Sequence, residues 1–174
     1  MQTCLFAVQV RTGSEIVFVE RLKRLSFENV SRVIFLQRRM NIRRGGKNLL
    51  ELNPVFPGYV FIETLENCVS SSDFREIKKQ KDFIHFLPSN EKLQKLSEND
   101  SSVVNSFLRF GTIAEPSSAY FDENDRIVIT DGPMKGLEGL IKAVDKRKKR
   151  VRIVTDFMGV SVKVDLSYNL VEKK

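Results

Sequence analysis

The sequence is short of cysteine and histidine, and it has no long apolar run. Its two cysteines, Cys4 and Cys68, lack metal-type spacing and are too few for a disulfide framework, which fits a reducing cytosol. The single histidine, His85, sits in the apolar stretch FIHFLP, where a satisfied structural role outweighs general-base work. No stretch approaches the roughly 18 apolar residues of a membrane span. The opening MQTCLFAVQV has no basic leader, and its apolar run breaks at Gln9 and Arg11, which is a strand pattern rather than a signal peptide. A cytoplasmic location is expected. Acidic residues are also outnumbered, 22 against 29 basic ones, for a formal net charge of +7. That excess favours a polyanionic partner, although a basic surface with no partner would also keep the chain soluble. With 41% hydrophobic and 29% charged residues, the chain reads as ordinary and globular rather than disordered.

The pattern of what is present divides the chain. CLFAVQVRTG predicts a buried strand closed by a turn at Gly13. Ser14 is a candidate helix cap, and Ile16, Val19, Leu22 and Leu25 share one helical face, with Glu15 lying elsewhere. VSRVIFLQRRM predicts a strand, NIRRGGKN a hairpin turn, and LLEL and YVFIE two further strands around NPVFPG. A second helix follows over SSDFREIKKQK, capped by Asp73 or a neighbouring serine. FIHFLP is a short strand, and a third helix begins at Asn99 or Asp100. Residues 1–110 therefore read as an α+β sandwich. The small, polar, proline-interrupted GTIAEPSSA, 111–119, reads as a linker, and 120–174 as a small antiparallel barrel of short strands.

The run from Lys146 to Arg152 puts six cations into seven positions. It lies between two strand-like segments, LEGLIKAV and VRIVTDF, so it is expected at the turn of a β-hairpin rather than in a floppy tail or a nuclear-type address. Such a tip can approach a phosphate backbone closely. The competing role is a solvated turn that blunts a sheet edge.

DRIVITDGPMKGLEGLIKAVDKRKKRVRIVTDFMG resembles the KOW motif of the NusG family of transcription elongation factors. It carries the alternation through Ile127, Val128 and Ile129, the Asp131-Gly132-Pro133 turn, and Gly136 and Gly139. Gly132-Pro133 makes a tight turn, and Gly139 suits close backbone approach or positive φ. The N-terminal half resembles the same family through FAVQVRTGSE, NPVFPGYVFIE and DFIHFLPSN, so the resemblance spans the chain in order. It implies an NGN-like α/β domain, a flexible linker and a five-stranded KOW β-barrel. It also implies that Leu5, Phe6, Phe56 and Tyr59 form an apolar depression for the clamp helices of RNA polymerase, with plain core packing as their other role. Phe56, just before Pro57-Gly58, is the one expected to turn its ring outward.

The chain departs from the family pattern at three places. Leu5 stands where many members have tryptophan, and Gln37 replaces a common proline. Phe157, Met158 and Val160 stand where housekeeping members show Phe-Gly-Arg, which puts contact with Rho and the ribosome in doubt. The sequence is most similar to the specialised paralogues, RfaH and above all the LoaP type. That likeness implies processive antitermination of long operons by a monomer that reads an RNA hairpin, the non-template DNA strand, or both. The implied nucleic-acid surface is the barrel tip, Lys146, Arg147, Lys148, Lys149, Arg150 and Arg152 with Lys135 and Lys142. A second basic patch comes from Arg38, Arg39, Arg43, Arg44 and Lys47.

No catalytic constellation is present, and no cofactor or metal is expected. The Asp122-Glu123-Asp125 cluster reads as a solvated turn rather than a metal site, and RRGGKN lacks the spacing of a phosphate-binding P-loop. Two other functional readings remain: a housekeeping NusG-like factor coupled to Rho or the ribosome, and a ribosome-associated KOW RNA-binding protein.

Overall fold

The computed structural model describes residues 3–65, 71–91, 93–157 and 159–172; Cys68 and Met158, both named above, lie outside the described residues. In chain order the first elements are β1 (Thr3–Val10), α1 (Glu15–Lys23), β2 (Val30–Ile34), β3 (Gln37–Arg44), β4 (Lys47–Pro54) and β5 (Tyr59–Leu65). Then come α2 (Ser71–Lys78), β6 (Phe83–Phe86), α3 (Glu98–Leu108), β7 (Ile113–Ala114) and β8 (Ser117–Phe121). The chain ends with β9 (Ile127–Asp131), a short 3-10 turn (Glu138–Leu140), β10 (Ile141–Asp145), β11 (Arg150–Phe157) and β12 (Val160–Leu170). The α+β class expected from the sequence is the one observed. The chain divides into two compact units, Met1–Phe35 with Phe56–Ser102, and Leu36–Val55 with Val103–Lys174.

The first unit is built on a four-stranded antiparallel sheet in the order β2-β5-β1-β6. Alternation along β1 sends Phe6, Val8 and Val10 to one face. There they pack with Phe18, Val19 and Leu22 of α1, Phe74 and Ile77 of α2, and Val60, Ile62 and Phe86 of the sheet. Each such side chain, fully buried, contributes about 1.5–3 kcal/mol. The helical face differs from the sequence expectation. Glu15 is buried with Phe18, Val19 and Leu22, while Ile16 is 56% exposed. Ser14 makes no side-chain cap. The Glu15 carboxylate instead accepts the N–H of Gly13 at 2.8 Å and of Gly58 at 2.7 Å, joining the turn after β1 to the turn before β5. Asp73 is likewise not a helix cap, since its carboxylate accepts the N–H groups of Glu28 and Asn29. α3 starts one residue before its expected beginning, with the Ser97 hydroxyl accepting the Asp100 N–H at 3.1 Å.

The second unit holds two sheets. VSRVIFLQRRM is not one strand, because the chain passes from β2 in the first unit to β3 in the second across Phe35–Leu36. β3 pairs with β4 through a two-residue turn, Gly45-Gly46, with φ of +57° and +78°. Positive φ at both turn residues matches strand twist in the tightest hairpins, and glycine adopts it without steric cost. The expected eight-residue turn thus shrinks to two residues, and the strands lengthen accordingly. β7 joins β3 in parallel.

The other sheet has five strands in the order β10-β11-β12-β8-β9. Its fifth strand comes from an unexpected place. Residues 111–119 are not without structure, since they carry β7 and most of β8, while VSVKVDL and NLVE merge into the single strand β12. Ser117 explains part of this. It is buried, and its hydroxyl accepts the Met134 N–H at 3.0 Å, so a residue that reads as linker serves as a sheet contact. A Cβ on Gly132, at φ +99°, would lie 2.7 Å from the Ser117 Cα. The close approach expected at Gly139 therefore belongs to Gly132; a Cβ on Gly139 would meet nothing within 4 Å beyond its chain neighbours.

Candidate nucleic-acid interface

β11 alternates sharply. Val151, Ile153, Thr155 and Phe157 are buried, and Arg150 and Arg152 point the other way. Pairing with β12 sets Arg150 opposite Ser167 and Arg152 opposite Asp165, so all four lie on the outer face of the sheet. Within the same unit, β3 crosses this face. The Arg150 Nη2 donates to the Asn41 carbonyl at 2.9 Å, and the Ser167 hydroxyl lies 3.5 Å from the Met40 sulfur. The β3–β4 hairpin and the β10–β11 tip thereby enclose a cleft of about 760 Å³. Arg43 and the polar Asn41 and Asn48 come from the hairpin, and Arg147, Lys148, Lys149 and Arg150 from the tip. Among its described lining residues are five cations and no carboxylate. A site of this charge attracts a polyanion.

The tip is a fixed turn. The Asp145 carboxylate accepts the Lys148 N–H at 2.8 Å, and Lys149 holds φ at +51° so that Arg150 can rejoin the ladder opposite Asp145. Side chains at the apex, Arg147 and Lys149, are exposed.

The remaining sequence-predicted cations divide by partner. Lys146 is ion-paired with Asp125 and sits 4.4 Å from the centre of the Phe121 ring, so it braces the barrel. Lys135 Nζ donates to the Thr130 carbonyl at 2.8 Å, and Arg39 is held by Glu115 at 2.8 Å. Arg44 lies 3.9 Å from Glu51, Lys47 is exposed at the hairpin turn, and Lys142 is exposed on β10. Arg152 is bidentate to Asp165, at 2.7 and 3.0 Å. That hydrogen-bonded pairing lowers the Asp165 pKa and raises that of Arg152. Arg38 lies close enough to feel both Asp165 and Arg150; burial is the main cause that lowers its pKa.

Sequence reasoning missed Asn41, Asn48 and Asp165. Strand alternation within KVDL, counted back from the turn at Gly159, is the signal that pairs Asp165 with Arg152. The asparagines carry no signal of their own.

The four apolar residues expected on a docking surface are not gathered on one. Phe6 packs edge-to-face on Phe74, ring centres 5.2 Å apart, and Leu5 is buried on the opposite face of β1. Phe56 does not face outward: it is 1% exposed and packs edge-to-face on Phe61 at 5.7 Å. The tight Gly58 turn, pinned by Glu15, folds that ring inward. Tyr59 alone of the four is half-buried. At the ends of β11 and β12 that flank their turn, Phe157 is buried and Val160 is 56% exposed. No helix among the described residues is long and apolar enough to cross a membrane.

Comparison with known proteins fits this architecture. Residues 4–105 match the family described as "Transcription termination factor nusG". The chain is 28% identical over 135 residues to the transcription termination/antitermination protein NusG of Borreliella burgdorferi, covering 75% of this chain and 73% of that protein. The protein of the same name from Escherichia coli (strain K12) is 24% identical over 131 residues, covering 75% and 71%. A solved chain described as "Domain interaction in Thermotoga maritima NusG" shares the fold, with a TM-score of 0.61 at 18% identity over 96% of this chain and 94% of that one. With a family match spanning more than half its length, and the fold to go with it, the chain belongs to the NusG family of transcription termination/antitermination factors, which act with RNA polymerase and are not enzymes.

Proposed function

We propose that this chain is a specialised, LoaP-type antitermination factor that binds RNA polymerase through its N-terminal NGN-like domain and a leader RNA hairpin through its basic cleft. The observation that carries this reading is the cleft itself, whose described lining holds Arg43, Arg147, Lys148, Lys149 and Arg150 and no carboxylate. Lysine-rich surfaces of this kind grip phosphates and read backbone shape more than base identity. An A-form RNA stem is the shape they suit, with the non-template DNA strand as the competing ligand. The polymerase contact is assigned to the clamp helices and to the segment that holds Leu5, Phe6, Phe56 and Tyr59; the buried members act by shaping the surface that Tyr59 reaches. Two anchors on one chain raise the effective concentration of each interaction, which suits processive transcription of long operons by a cytoplasmic monomer.

If all five cations neutralise phosphates, log K against log salt has a slope of roughly −3.5 on single-stranded and −4.5 on duplex nucleic acid. The test is binding to the RNA encoded upstream of its own gene, against a scrambled RNA, across a salt series. Arg147→Ala/Lys149→Ala is expected to weaken binding and make the slope shallower by about 1.4 to 1.8. Equal, weak binding of every RNA by wild type and variant would refute the reading.

A further inference from the structure

Beside the cleft, sharing Lys148 and Arg150 with it, lies a smaller cavity of about 240 Å³. Lys148, Arg150 and Arg152 line it together with Asp145 and Asp165. Lys148 lies 4.0 Å from Asp145 and Arg152 pairs with Asp165, which leaves Arg150 as the lining cation without an ion pair among the described residues. Asp165 is already occupied by both hydrogen bonds from Arg152, and Arg38 adds a further guanidinium within electrostatic reach. Moreover, Arg38 Nε, Arg38 Nη1 and Arg150 Nε are buried with no acceptor among the described residues. Buried N–H groups in folded proteins nearly always have a partner, so three on two neighbouring guanidinium groups leave positive charge poorly compensated close to the cavity wall.

We propose that this cavity is a phosphate subsite, in which one phosphate of a nucleic acid lying in the larger cleft is held by Lys148, Arg150 and Arg152. Asp165 works against the ligand, since its carboxylate takes up two Arg152 donors and repels a phosphate. A phosphate brings several acceptor oxygens to a cavity lined by three cationic side chains, two of them guanidinium groups that keep N–H donors beyond those taken by Asp165 and the Asn41 carbonyl. The positive charge of Arg38 behind them adds to the local potential. This proposal rests on the nucleic-acid reading above and makes it specific: a backbone phosphate leaves the cleft and enters a side cavity.

The test uses the full chain, a labelled single-stranded oligouridylate, and inorganic phosphate against chloride or glutamate at matched ionic strength. Phosphate is expected to displace the oligonucleotide from wild type more strongly than either control anion. Lys148→Gln, an exposed substitution, is expected to abolish that difference and make the salt slope shallower by about 0.7. Asp165→Asn is expected to bind the oligonucleotide about three- to fivefold more tightly, since it removes a negative charge a few ångströms from the ligand. Misfolding cannot mimic that gain. Should Asp165→Asn fail to fold by circular dichroism, Lys148→Gln decides alone. Equal competition by phosphate, chloride and glutamate in wild type overturns the subsite. So does unchanged or weaker binding by a folded Asp165→Asn. If Arg147→Ala/Lys149→Ala loses oligonucleotide binding while Lys148→Gln keeps the wild-type preference for phosphate over the control anions, the cleft stands and the subsite falls. If no variant alters binding, both fall together.

Discussion

Lys149 holds the left-handed backbone conformation, φ +51°, at the exposed end of the β10–β11 turn. A lysine there costs about 1–2 kcal/mol relative to ordinary backbone geometry, whereas asparagine tolerates that region. Lys149→Asn should therefore stabilise the folded chain by about 0.5–1.5 kcal/mol. For a chain of this length each kcal/mol raises the melting temperature by about 2–4 °C. The same change should weaken nucleic-acid binding. One lost phosphate contact makes the single-strand salt slope shallower by about 0.7, which at 0.15 M salt is about fourfold in affinity. Thermal unfolding and a salt-dependent binding titration on the same protein separate the two effects, with Lys149→Arg as the control that keeps charge and strain together. A lower melting temperature for Lys149→Asn would refute the strain argument. A higher one with unchanged affinity would refute the assignment of Lys149 to the ligand. If both expectations hold, the tip has a residue that is poor for folding and good for binding, a trade usual at functional sites.

Phe56→Ala should destabilise the protein by about 3–5 kcal/mol in chemical denaturation, because the ring is buried on Phe61; a loss below about 1 kcal/mol would contradict that packing. Gly132→Ala should cost at least about 2 kcal/mol, combining positive φ with a Cβ only 2.7 Å from backbone, and unaltered stability would show that the Ser117 contact yields easily. The depressed pKa of Asp165, due first to the hydrogen bonds from Arg152, gives stability that is present above the unfolded carboxylate pKa of about 3.9 and lost as pH falls through the folded value. The stability gap between wild type and Asp165→Asn should accordingly be open at neutral pH and close in acid, and a gap independent of pH would count against the pairing.

Local signals were legible in the sequence, and non-local ones were not. The buried run of β1, the tight turn at Gly132-Pro133 and the basic hairpin tip each follow from spacing within about ten residues, and the α+β class follows from their succession. The break between β2 and β3 left no trace, because Phe35-Leu36 continues the apolar pattern without glycine or proline. Ser117 and Glu15 misled for one reason: a polar residue reads as exposed, yet each is buried by hydrogen bonds to backbone N–H groups from distant segments. The cleft was half visible. Its cations stood out as two separate clusters, and only the crossing of β3 over β11 and β12 unites part of each.

That crossing has a consequence during synthesis. Asn41 and Arg150, which join the two walls of the cleft, are 109 positions apart. The ribosome must make both before those walls can meet, and β12, which carries Asp165 and backs Arg152, is made later still. The N-terminal sheet needs only residues up to Phe86, so it can form while the rest is still being translated. The cleft is thus completed only after β12 has been made, and a chain truncated within that strand would keep its first unit and lose the proposed grip on nucleic acid.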